Sequence, residues 1–289
     1  MSTVAATASR SRPGVAARAW AFAKRHALTV FAFLVVAYLM LPIAVVIMFS
    51  FNAPSGRFNY VWEGFTLDNW ASWNSVLGIQ DAVITSLEVG FLATIVATAL
   101  GTLIALAIVR HRFAGRGATN VLVFLPMSTP EIVLGASLLT LFLNTTADFQ
   151  LRFVTIFIAH VMFIVSFIVV TVKARLIGFD RHLEEAAMDL GANEITTFRK
   201  VTLPLLAPAM LAAALLGFAL SIDDFVITYF NGGSVTQTFP VFVWGIARVA
   251  VPPQVNVVAS AIFLIAIALA LGNVFWQYRA AKRQRQGAA

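Results

Sequence analysis

Six apolar stretches, roughly 28–51, 82–109, 119–143, 153–172, 205–230 and 255–277, set what this chain can become. Each approaches or exceeds the ~20 mostly apolar residues that a helix needs to cross a bilayer. Sixty per cent of the chain is hydrophobic, only 11% is charged, and the mean hydropathy is +0.87. A soluble core cannot absorb that composition. Backbone groups in lipid must be satisfied within their own segment, so the expected fold is all-α with six spans. The first stretch has no small-residue cleavage site behind it and is read as a retained span.

The basic residues orient the spans. Arg10, Arg12, Arg18, Lys24 and Arg25 precede the first stretch; Arg110, Arg112 and Arg116 separate the second from the third. Lys173, Arg175, Arg181, Arg199 and Lys200 lie between the fourth and fifth, and Arg279, Lys282, Arg283 and Arg285 follow the sixth. Seventeen of the 20 basic residues thus share one side, leaving Arg57, Arg152 and Arg248 for the other. By the positive-inside rule the crowded side is cytoplasmic, and both termini and residues 173–204 lie there. The same asymmetry explains the pI near 10.4 without a nucleic-acid partner. The expected organisation is a cytoplasmic tail over 1–27, a membrane domain over 28–277 and a basic tail over 278–289. Residues 1–20 are expected to lack regular structure.

Two stretches carry internal punctuation. Pro126 and Pro130 interrupt the third, within Leu125-Pro-Met-Ser-Thr-Pro-Glu131. Proline removes a helix hydrogen bond, so a break there either lines a cavity or only bends the helix. Asp223 and Asp224 sit near the outer end of the fifth, which is read as one helix to residue 230. Ionisable groups in a span are functional candidates, and Glu131 is the next. For the aspartates the alternative is structural, with Ser221 as N-cap and Asp223 and Asp224 in the first turn of a restarted helix; for Glu131 it is a carboxylate accepting backbone N–H groups freed by the proline break. Glu88 is read as interfacial. Phe225, Tyr229 and Trp244 are candidate aromatic partners, and Trp62, Phe65, Trp70 and Trp73 suit a membrane interface or partner surface. Eight carboxylates, Asp148 among them, against three arginines outside the cytoplasm favour a cationic solute. The chain lacks cysteine, and His26, His111, His160 and His182 show no metal-ligand spacing; they are read as cytoplasmic or packing residues.

Residues 182–204 are polar between apolar stretches. Leu183, Ala186, Ala187 and Leu190 recur at helical spacing, Gly191 follows, and a second short helix over roughly 193–201 leads to Pro204. An amphipathic loop on the membrane surface would read similarly. The pattern Glu185-Ala186-Ala187, three residues, Gly191, nine residues, Val201-x-Leu203-Pro204 resembles the EAA loop of ABC importer permeases. The resemblance implies a type I ABC importer permease fold. It implies that Glu185, Ala186, Ala187 and Gly191 contact a cytoplasmic ATPase dimer, with Leu203 and Pro204 at the junction to the pore helix.

The segments Pro-Met-Ser-Thr-Pro-Glu131 and Phe218-Ala-Leu-Ser-Ile-Asp-Asp-Phe225 further resemble the second permease of spermidine/putrescine importers. That resemblance implies alternating access in a bacterial inner or plasma membrane, a homologous sister permease and an extracytoplasmic substrate-binding protein. ATP and Mg would be bound by the ATPase, and this chain, without a G-x-x-x-x-G-K-[ST] loop, would hold no cofactor and catalyse nothing. Asp223, Asp224, Glu131, Phe225 and Tyr229 become substrate-pathway candidates, because carboxylates and aromatic faces suit ammonium groups. Open alternatives are another cargo (a small cation, amino-acid derivative, phosphonate or iron) and an ion-coupled secondary transporter using the carboxylates as a relay.

Overall fold

A computed structural model describes residues 15–145 and 152–286. Asp148, Arg10 and Arg12 lie outside the described residues. The helices are α1 (Val15–Phe49), α2 (Asp68–Ala71), α3 (Ile79–Arg110), α4 (Arg116–Ser128), α5 (Glu131–Thr145) and α6 (Phe153–Ile177). There follow α7 (His182–Asp189), α8 (Glu194–Thr197), a π-helical turn (Phe198–Thr202), α9 (Leu203–Ile222), α10 (Val226–Asn231), α11 (Phe239–Ile246) and α12 (Pro253–Gln286). Four helical runs are long and apolar enough to cross a membrane, and the bent pair α4–α5 makes a fifth. The sixth stretch lies in α12, whose Pro253–Leu269 portion is apolar. Helix α1 begins at Val15, inside the segment 1–20 expected to lack regular structure, and α12 runs on to Gln286 in the basic tail.

The chain divides into two compact units. One comprises Met1–Trp73 with Pro252–Ala289. In it, α1 packs on α12, and the segment after α1 is tied by asparagines. Asn52 Nδ2 donates to Asn59 Oδ1 at 2.6 Å and to the Val61 carbonyl at 2.7 Å, while Asn69 Nδ2 donates to the Asn52 carbonyl at 2.7 Å. Phe51 stacks on both Phe65 and Trp70, and Trp62 meets Phe49 edge-on. The aromatics expected to anchor a membrane interface are thus partly used to pack their own segment.

The other unit, Asn74–Val251, is built on α3, α6 and α9. Helix α3 presents a stripe of small residues: Ala82, Ser86, Gly90, Ala93, Ala97, Gly101 and Ala105, all buried. Small side chains let helix backbones approach when lipid supplies no hydrophobic drive between helices. At Gly101 the approach is so close that a Cβ would sit 2.7 Å from Ile168 Cγ2 of α6. Ile164, Ile168, Val172 and Leu206 complete this core.

Both punctuated stretches break. Thr129 takes the extended backbone that a following proline favours, and α4 and α5 meet at 109°. Pro126 stays inside α4. The expected single helix over 205–230 instead ends at Ile222 and restarts at Val226.

Candidate functional site: the docking loop and the helix break

The loop between α6 and α9 forms as its residue types require. Asn193 caps α8, its side chain accepting from Thr196 N–H at 2.8 Å. After α7, Gly191 adopts φ +87, the Gly191 N–H donates to the Met188 carbonyl and the Ala192 N–H to the Ala187 carbonyl. That left-handed closure of a helix is what glycine permits without a Cβ penalty. Pro204 enters at the start of α9, where its missing N–H costs nothing.

The apolar face anticipated from periodicity points outward. Leu190 is 90% exposed and Ile195 70%, with Leu183 and Met188 also exposed. Glu185, Ala186, Gly191 and Pro204 are exposed, and Ala187 and Leu203 are half-buried. Glu184, by contrast, turns inward. Its carboxylate pairs with Arg110 at 3.0 Å and accepts from Thr202 Oγ1 at 2.6 Å.

At the second break, α9 and α10 are pinned to α6 by buried polar groups. Asp224 accepts from Ile227 N–H at 3.2 Å and Thr228 N–H at 2.9 Å, capping α10. Thr228 Oγ1 also lies 3.1 Å from Asp224 Oδ2. His160 of α6, fully buried, reaches Ser221 Oγ through Nδ1 (2.6 Å) and Thr228 Oγ1 through Nε2 (2.9 Å), with Asp224 at 3.4 Å. One proton assignment satisfies every group: Thr228 donates to Asp224, His160 Nε2–H donates to Thr228, and Ser221 donates to Nδ1.

Asp224 therefore departs from its expected place in an open pathway: its side chain is 2% exposed and caps a helix. Ser221 does not cap the restarted helix, because its hydroxyl goes to His160. Sequence reading passed over His160. The only trace of its role is that it is the lone titratable residue of the stretch 153–172, with Ser221 and Thr228 flanking the aspartates.

The remaining pathway candidates stay open. Asp223 and Glu131 are both exposed. Helix α5, which begins at Glu131, packs on α10 through Gly135, where a Cβ would meet the Phe230 ring at 2.9 Å. Asn231 Nδ2 donates to the Gly135 carbonyl across the same seam. Phe225 stacks on Tyr229 with centroids 5.3 Å apart and sits 5.4 Å from Trp244; Tyr229 and Trp244 are each about half exposed. The guanidinium of Arg248 covers Trp244 at 5.3 Å. Carboxylates and aromatic faces are thus gathered around one helix break.

Residues 97–285 match the family described as binding-protein-dependent transport system inner membrane component. The chain belongs to that family. It is a permease subunit of a binding-protein-dependent ABC importer, a multi-pass inner membrane protein that works with an ATPase and a binding protein. Membership sets aside the ion-coupled secondary transporter. Among relatives, the chain is 38% identical to the spermidine/putrescine transport system permease protein PotC of Haemophilus influenzae, covering 83% of this chain and 91% of that protein. It is 34% identical to the putrescine transport system permease protein PotI of Escherichia coli, over 86% of this chain and 89% of that one.

The fold of this permease recurs in a bacterial ABC transporter that imports alginate (TM-score 0.67, 14% identity, 91% of this chain and 99% of that one). It recurs also in the MetNI methionine ABC transporter (TM-score 0.51, 17% identity, 73% and 95%). These are type I importer permeases, as the EAA pattern implied.

Proposed function

We propose that this permease moves polyamines, putrescine or spermidine, inward through a pathway shared with a homologous sister permease. The observation that carries this reading is the pair of exposed carboxylates, Asp223 and Glu131, beside the Phe225–Tyr229–Trp244 cluster in a chain similar to PotC and PotI. Ammonium groups are held by charge-assisted hydrogen bonds to carboxylates and by aromatic faces. Asp224 belongs beneath this surface as the cap that orients α10.

Both termini and residues 173–204 face the cytoplasm, and the exposed face of α7 and α8 seats an ATPase. ATP and Mg are bound by the ATPase dimer. ATP binding draws the two ATPases together, the docking loops follow, and the permease pair opens outward to receive the solute from its binding protein. Hydrolysis restores the inward-open state.

Radiolabelled putrescine and spermidine uptake in cells carrying this chain with its neighbouring transport genes tests the reading. Wild-type uptake should require the ATPase. Asp223→Asn should raise KM by roughly tenfold or more, the scale of one hydrogen bond to a charged group, and Gly191→Val, whose branched side chain opposes the left-handed backbone, should impair uptake. An assembled complex that takes up neither polyamine rules out the cargo.

A further inference from the structure

One carboxylate fastens three elements of the unit Asn74–Val251. Arg110 is the last residue of α3, Glu184 lies in the first turn of α7, and Thr202 ends the π-helical turn that runs into α9. Glu184 Oε2 pairs with Arg110 Nη2 at 3.0 Å, and Glu184 Oε1 accepts from Thr202 Oγ1 at 2.6 Å. The side chains of Arg110 and Glu184 are only 10% and 15% exposed. The Arg110 guanidinium also lies 5.3 Å from the centroid of the Phe179 ring. Thr202 is buried.

The neighbouring Glu185 and the apolar residues Leu183 and Leu190 point away from this centre and stay exposed. Helix α7 thus has a face for a partner and, one residue away, a polar hook into α3 and the root of α9. Helices α3 and α9 both pack on α6 at the centre of the unit. A π-turn carries a looser hydrogen-bond ladder than the α-helix it interrupts, and such turns recur at functional sites. Without the hook, that turn would let α7 swing independently of α9.

We infer that Glu184 is a positioning residue for coupling: through Arg110 and Thr202 it converts displacement of the docking loop into displacement of α3 and α9. The inference rests on the coupling role proposed above for residues 173–204. It separates two neighbouring glutamates that look alike in the sequence, giving Glu185 to the partner face and Glu184 to transmission.

The test uses the complete transporter, this chain with its sister permease and ATPase in lipid vesicles, supplied with binding protein and radiolabelled putrescine. Glu184→Gln, Arg110→Glu and the exchange Arg110→Glu/Glu184→Arg are compared for ATPase retained and for putrescine moved per ATP hydrolysed. Each single variant should keep its ATPase and its hydrolysis while putrescine per ATP falls about tenfold, within the coupling range of residues in contact. The exchange should recover most of the ratio. Glu184→Gln preserves shape and decides the matter if Arg110→Glu prevents assembly.

A wild-type ratio in Glu184→Gln, loss of the ATPase from it, or an exchange no better than the single variants would overturn the inference. A wild-type complex that retains no ATPase would instead remove the coupling reading, and one that hydrolyses ATP but moves no putrescine would remove the cargo.

Discussion

The loop at residues 180–204 and the break at residues 223–225 are both polar interruptions between apolar helices, and they dispose of their side chains in opposite ways. The loop exposes its apolar residues: Leu190 and Ile195 are 90% and 70% exposed. The break buries its polar ones: His160, Ser221, Asp224 and Thr228 are all inside. Exposed large apolar groups on a charged loop suit a surface completed from outside the chain, by a partner or by lipid. Buried polar groups with every partner supplied indicate a joint that the chain completes for itself. Adjacent residues can fall on different sides of this distinction, as Asp223 and Asp224 do at the break and Glu185 and Glu184 do in the loop.

The largest expected effect strikes the joint. His160→Leu or Asp224→Leu leaves buried polar partners unsatisfied and should cost about 3–5 kcal/mol, read as earlier thermal unfolding in detergent. The double variant should cost less than the two summed, because both side chains act through Thr228 and the interactions they share are lost only once. Simple additivity would show that the four groups do not form one network.

Next in size is the docking face. Leu190→Asp should leave thermal unfolding within about 0.5 kcal/mol of wild type. It should weaken ATPase retention by about 1.5–3 kcal/mol, the value of burying one leucine. Unchanged retention would place the partner surface elsewhere.

Gly191 sharpens the contrast further. No atom lies within 4 Å of the position its Cβ would take, so only the backbone opposes substitution. Gly191→Val should cost about 1–2 kcal/mol of local order and impair docking. Gly191→Asn, which tolerates the left-handed region, should retain most of it; equal damage from both would point to the side chain instead.

The smallest effect concerns the entry to α7. The hydrogen bond that His182 Nδ1–H donates to Asp180 raises the His182 pKa, helped by the charges of Asp180 and Glu185, and the same bond lowers that of Asp180. Order gained through His182 is fully present below its unfolded pKa and is lost as pH rises through the folded one. Order gained through Asp180 is present above its unfolded pKa and is lost as pH falls through the folded one. Both partners are exposed, so the effect on stability is slight. Hydrogen exchange across residues 180–190 should show greatest protection between the two folded pKa values, and Asp180→Asn should flatten the profile.

The apolar stretches determined the all-α membrane fold, since lipid leaves the backbone no alternative to internal hydrogen bonding. The sequence anticipated the local shape of the loop between α6 and α9, because helix, glycine turn and proline entry are local choices made by neighbouring residues. Pro130 likewise announced the break between α4 and α5. The second break was only half legible. Ser221-Ile-Asp-Asp-Phe225 admits a restarted helix as one of two readings, but that Asp224 caps it while Ser221 turns to His160, 61 residues earlier, is decided by packing. Nor does sequence distinguish Glu184 from Glu185, since the partner that turns Glu184 inward is Arg110 at the end of another helix. Local backbone preference was encoded in runs of adjacent residues; which carboxylate faces a partner and which is buried was decided by groups that only packing brings within 3 Å or so of each other.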